Sequence, residues 1–315
     1  MSCGCGGLPT DFDRFRQIWS HDFEFRLDQN GLPVPIALFA KEYRSGAEIV
    51  MDRAQLLAST RLPFDGDDVL ATSYSIVAEL SCFRALRLPT PRNVLCTYFE
   101  TSAAINGLDI AGLTEKRPKL VEACELFGIP HIDIADKARI INTILTKAEY
   151  TPEEWREIVA MNRQDVQQEA ALFGTIARTI DLPAALFRGR YAKAVTAMEA
   201  HGIPIDVDYL AELKAQWQML RMFYIRRDDT FGLYDDAGSF CEDRFEALIK
   251  TRGWTWPRTP TGRLELRSKT IGKQCKHHSE LRPLQKLRDQ IAELRLGAFL
   301  NTIGADGASR CPIMP

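Results

Sequence analysis

The sequence predicts an α/β domain followed by a mainly helical one, and three observations carry this. The segments IWSHDFEF, PVPIALFAKEY and AEIVMD alternate or run apolar as strands do. From Pro152 onward, apolar residues recur at helical spacing instead. The charge balance also reverses near Asp181-Leu182-Pro183. Residues 1–185 hold 19 Lys+Arg against 26 Asp+Glu, whereas residues 186–315 hold 21 against 16. A length of 315 residues leaves room for about two domains.

Taken in order, the Gly-rich opening MSCGCGGLPT reads as part of a disordered tail over residues 1–14, in which Cys3 and Cys5 lack a second pair at zinc spacing. Turns at Asp28–Gly31 and Arg44–Gly46 join the three strands into an antiparallel meander. Residues 69–88 read as a strand or turn and then a helix with Val77, Leu80, Phe83, Leu86 and Leu88 on one stripe. Asn93 to Tyr98 reads as a short buried strand, with helical segments through 101–148. Thr151-Pro152-Glu153-Glu154 has the form of a capping box with proline in the first turn, so a helix should run to about Arg178. It should stop near Pro183, the expected domain boundary. A short helix is predicted over 190–201, and Asp206 should cap one long helix carrying Leu210, Leu213, Trp217, Leu220 and Phe223. Further helices are predicted at 240–252 and 283–299.

The composition, 45% hydrophobic and 26% charged with 20 Gly and 16 Pro, excludes collagen-like, wholly disordered and disulfide-scaffold classes. Apolar runs are short, so no membrane span is expected, and the N-terminus has no export signal. The expectation is a cytoplasmic protein whose eight cysteines are reduced. No Gly-rich loop with Lys-Ser/Thr suggests a nucleotide-hydrolysing engine. The net charge of −2 conceals an acidic half suited to cations and a basic half suited to phosphate.

Asp22 and Glu24 flank Phe23 on the first strand, so strand alternation puts both carboxylates on one face. Glu79 opens a helix, and Asp165 lies well inside the capped helix. Four such acids can hold two hard divalent cations, Mg²⁺ or Mn²⁺. Two ions about 3.5–4 Å apart stabilise the attacking and leaving oxygens of phosphodiester hydrolysis. In the basic half, Arg252, Arg258, Arg263, Arg267, Lys269, Lys273 and Lys276 crowd a segment that also holds Trp254 and Trp256. Lysine and arginine contacts to phosphate supply sequence-independent affinity for nucleic acid.

Several of these segments resemble the family A, DNA polymerase I-like enzymes of phage and prophage type. Asp22-Phe23-Glu24, AELSCFRALRLPTPRNVL around Glu79, and WREIVAMNRQDVQ around Asp165 are similar to the three motifs of that family's 3′–5′ exonuclease domain. LPAALFRGRYAKAVTAMEAHGIPIDVDYL looks like the linker into the thumb, and GADGASRCPIMP like the start of the palm. The resemblance covers about residues 15–315. It implies a ribonuclease H-like exonuclease domain over 15–185, a mixed sheet flanked by helices. A helical thumb-like DNA-binding domain over 186–300 and the beginning of a palm over 301–315 would follow. It further implies that Asp22, Glu24, Glu79 and Asp165 are catalytic metal ligands. Single-stranded DNA 3′ ends would bind there and duplex DNA at the thumb, in a bacterial or phage-infected cell. The polymerase motifs would lie beyond Pro315, so no nucleotide addition is expected from this chain alone. It would be an expressed fragment, a truncated product or one half of a split enzyme, with the missing polymerase portion as a partner.

The sequence also departs from the family pattern. Where the third motif carries Tyr or His, this chain has Met161 and Ala160, and Cys96 stands where an Asp is common. Loss of a positioned acid/base group costs about 10²–10⁴ in rate. The alternative expectation is therefore a catalytically silent exonuclease-like DNA-binding or scaffolding module.

Overall fold

The structure, a computed structural model, describes residues 7–108, 118–131, 134–293 and 297–310. The described residues up to Ile203, with Arg310, form one compact unit, and Pro204–Ser309 form a second.

The first unit is built on a five-stranded mixed sheet. Strands β1 (Gln17–Leu27), β2 (Pro33–Glu42) and β3 (Glu48–Asp52) make the expected antiparallel meander. Local chemistry fixes both of its turns. The Asp28 carboxylate accepts from the N–H groups of Asn30 and Leu32, and Gly31 supplies a φ of 72° that other residues resist. At the second turn the buried Glu42 carboxylate accepts from the N–H groups of Ile18, Arg44 and Ser45.

After α1 (Arg53–Ala58), β4 (Val69–Ser73) adds parallel to β1, α2 (Ile76–Ala85) crosses over, and β5 (Asn93–Cys96) adds parallel to β4. The strand order is β3-β2-β1-β4-β5. Helices α3 (Thr97–Ile105), α4 (Leu120–Leu126), α5 (Ile134–Thr146), α6 (Pro152–Ile176) and α7 (Leu182–His201) follow.

Strand alternation divides the core between the two faces. Trp19, Phe23, Val69, Ala71 and Val94 pack with Leu80 and Phe83 of α2, while Ile18, Leu70 and Leu95 pack with Phe173 of α6. Phe12 and Phe15 join the second cluster. Residues 10–14 are therefore not part of a disordered tail, because burying two phenylalanines holds the short 3₁₀ turn Thr10–Arg14 against the sheet, while residues 1–6 lie outside the described residues.

His21 lies in the first cluster, stacked on Phe64 with ring centroids 5.0 Å apart. Burial pushes its imidazole from 6.5 down to about 4. The unfolded chain then binds the proton more readily between those values, so this group's contribution to stability falls as pH drops through that window. It should cost about 3 kcal/mol by the acid end. In urea unfolding, the stability of His21→Phe relative to the parent should rise by that amount between about pH 7 and pH 4. A pH-independent difference would contradict this.

The Thr151 capping box forms as expected, with Thr151 and Glu154 exchanging hydrogen bonds. Three expectations need correction. The helix predicted over 190–201 begins at Leu182, because the Asp181 side chain accepts from the Ala184 N–H and Pro183 fits the first turn. The long helix after Asp206 is two helices, α8 (Val207–Ala215) and α9 (Trp217–Asp228), broken at Gln216 with φ −90° and ψ 0°. Thr97 and Tyr98 open α3 instead of extending β5.

The second unit continues with α10 (Glu242–Arg252), α11 (Ser268–His277) and α12 (Arg282–Glu293). Its core holds Leu233, Phe245, Ile249, Trp256, Ile271 and Leu284, so Trp256 is a core residue, and its indole donates to the Glu265 carbonyl at 3.0 Å. Residues 294–296 of the predicted last helix and 311–315 of the expected palm start lie outside the described residues.

Candidate functional site

The site arises where β1 outruns its parallel partner. Strand β4 pairs only with Gln17–Ser20, while β1 runs on to Leu27. Past Ser20 no strand among the described residues lies beside that edge, and Glu79, in the first turn of α2, takes over: its carboxylate accepts from the Phe23 N–H at 2.7 Å. Phe23 is anchored on the core face, so the flanking Asp22 and Glu24 share the opposite one.

Asp165 of α6 meets them there. Carboxylate oxygens of Asp22, Glu24 and Asp165 lie within 4.8 Å of one another. All three carboxyls are pushed upward, by burial first and then, for Asp22 and Glu24, by neighbouring negative charge. Glu24 is raised to about 8. Glu79 is also raised, by burial and by the charges of Glu24 and Glu169. Its carboxylate braces the strand between the two β1 acids and is not among the three that converge within 4.8 Å.

Two further charged groups lie close to these acids. Lys137 of α5 reaches both Asp165 oxygens at 2.7 and 2.6 Å. Glu169, one turn beyond Asp165, is buried and accepts from Thr97 and Thr72, and Thr72 in turn bonds Ser20 of β1. The four-residue step from Asp165 to Glu169 was visible in the sequence as a shared helix face. No pattern there pointed to Lys137.

Three crowded carboxyl oxygen donors suit a hard divalent cation, which would offset the negative charge that the single Lys137 ammonium leaves uncompensated. Met161 brings no polar group to them. It is buried against Ile36, Ala37, Ile140, Ile144 and Ile158, while Ala160 is exposed. Cys96 is a packed thiol that burial pushes up to about 12, donating to the Tyr74 carbonyl at 3.3 Å.

The seven basic residues singled out in the second unit are all exposed but differ in company. Arg258 pairs with Glu246, Arg263 with Glu242 and Arg267 with Glu265. Lys269, Lys273 and Lys276 share one face of α11, and among the described residues these three and Arg252 make no ion pair.

No family model matches the chain, and no curated protein matches it. Among solved structures, the chain is similar to the POL domain of Pol1 from M. smegmatis in complex with DNA primer-template and dNTP, at 12% identity and a TM-score of 0.54. The match covers 99% of this chain and 51% of that one, so this chain spans about half of its length. Escherichia coli RNase D, an exoribonuclease involved in structured RNA processing, aligns at 14% identity with a TM-score of 0.41, covering 89% of this chain and 71% of that one. The fold is ribonuclease H-like, a mixed five-stranded sheet with flanking helices, followed by a helical region.

Proposed function

We infer that the first unit is a 3′–5′ exonuclease-like domain and the second a thumb-like DNA-binding domain, together a portion of a family A-type DNA polymerase. In this reading the chain removes 3′-terminal nucleotides from DNA. The observation that carries it is the convergence of Asp22, Glu24 and Asp165 within 4.8 Å.

Asp22, Glu24 and Asp165 would hold divalent ions, two when fully loaded, with Mg²⁺ or Mn²⁺ fitting their oxygen donors. Bound ions supply Lewis-acid activation of water and neutralise charge building on the phosphate. Water oxygen attacks phosphorus, the bond to the 3′ oxygen of the preceding nucleotide breaks, and that oxygen takes a proton. A nucleoside 5′-monophosphate leaves. Glu79 keeps the β1 acids in place through Phe23, and Glu169 ties α6 to the sheet through Thr72 and Thr97.

For the thumb role, Arg252 and the α11 lysines meet phosphate directly. Arg258, Arg263 and Arg267 join by exchanging their glutamates for it, since exposed ion pairs are worth only about 0–1 kcal/mol. The polymerase portion is the expected partner, and a bacterial or phage-infected cell the expected setting. Among the described residues no helix is long and apolar enough to cross a membrane.

A 5′-labelled single strand of DNA with Mn²⁺ tests the reading. The parent should shorten it stepwise from the 3′ end, and Asp22→Ala should do so at least about 10²-fold more slowly. Equal shortening by both proteins, or none by either, would reject the nuclease. The second outcome, together with retained DNA binding, would favour the silent module, for which the burial of Met161 in an aliphatic cluster is the supporting observation.

A further inference from the structure

We propose that Lys137 is a tethered counter-ion that holds the place of one divalent cation at Asp165, so that the carboxylate cluster loads its ions in two unequal steps. The proposal rests on the reading that Asp22, Glu24 and Asp165 are ion ligands.

The geometry is specific. The Lys137 ammonium contacts both Asp165 oxygens, at 2.6 and 2.7 Å, so no oxygen of that carboxylate is left without a cationic neighbour. The Asp165 side chain is 9% exposed and that of Lys137 22%, a setting in which water screens the pair less than it would a surface pair.

Charge arithmetic then gives the order of events. With all three ligands ionised, as ion binding requires, three carboxylates against one ammonium leave two formal negative charges in the ligand group, which one divalent ion neutralises. A second ion gains little there unless the ammonium leaves Asp165. Lysine suits that exchange, being a compact charge on a flexible four-carbon stem. The first ion therefore binds on the Asp22–Glu24 side, and the second binds as Lys137 swings off Asp165.

Calorimetric titration of the full chain with MnCl₂ near neutral pH tests this without reference to activity. The parent should show two steps separated by at least about tenfold in affinity. In Lys137→Met the second step should tighten by about tenfold or more, closing the gap. Lys137→Arg keeps a cation at Asp165 and should keep the two-step isotherm, which guards against a Met variant that folds poorly. Two equivalent sites in the parent, or superimposable Met and parent isotherms, would overturn the proposal. Absence of Mn²⁺ binding by every protein at millimolar concentration would reject the ion-ligand reading itself.

Discussion

Glu24→Gln is expected to melt at a higher temperature than the parent in EDTA at about pH 8. A partly buried carboxylate beside another is a liability when no cation is bound, because burial and the Asp165 charge oppose its ionisation. Its folded pKa of about 8 lies above the ordinary 4.5. The sign follows from linkage: the folded chain binds the proton more tightly than the unfolded chain, so stability present below 4.5 is lost as pH rises through about 8. An amide needs no charge and escapes this loss. With more than one pKa unit at stake, the gain should be a few kcal/mol, or roughly 5–10 °C for a unit of this size. Saturating Mn²⁺ should reverse the order, stabilising the parent and leaving Glu24→Gln little changed. Melting curves at about pH 5 and pH 8, with and without Mn²⁺, check both signs. A variant less stable than the parent in EDTA at the higher pH would show that the cluster is not electrostatically strained.

The second large effect is steric. Gly189 sits in α7 against strand β5, and a Cβ there would lie 2.1 Å from the Val94 carbonyl oxygen and 2.8 Å from a Val94 methyl group. The nearest obstacle is backbone, so it cannot rotate aside. Helix propensity favours alanine over glycine by about 1 kcal/mol, but overpacking of this kind costs about 1–3 kcal/mol and occasionally more. The clash should win, and Gly189→Ala should lose about 2 kcal/mol or more in urea unfolding. Gly272→Ala is the internal control. In α11 the added carbon would meet only the Gln285 amide nitrogen, at 3.4 Å, so propensity should dominate and stability should hold or rise. Equal effects at the two glycines would refute the close approach of α7 to β5.

Local signals were legible in the sequence, and contacts distant in sequence were not. The meander, the capping box at Thr151 and the shared face of Asp22 and Glu24 follow from alternation and from side chains that bond within a few residues. Asp181-Leu182-Pro183 misled because the same residues that end one helix also begin another; the Asp181 hydrogen bond to Ala184 decides it. Spacing could not reveal the break at Gln216, since the apolar stripe from Leu210 to Phe223 continues across it. Lys137 stood outside every motif because it acts on an acid 28 residues away through a neighbouring helix. The basic run gave the cations of the second unit but not their company: Glu242 and Glu246 lie upstream of it in α10, and only the fold brings them to Arg263 and Arg258.

The proposed ion site is one small volume between β1 and α6. Crystals soaked in MnCl₂ and measured at a wavelength where manganese scatters anomalously would examine it directly. The predicted result is an anomalous peak among the oxygens of Asp22, Glu24 and Asp165, absent from Asp22→Asn crystals treated alike. A soaked parent crystal with manganese bound elsewhere and none at these three carboxylates would contradict it.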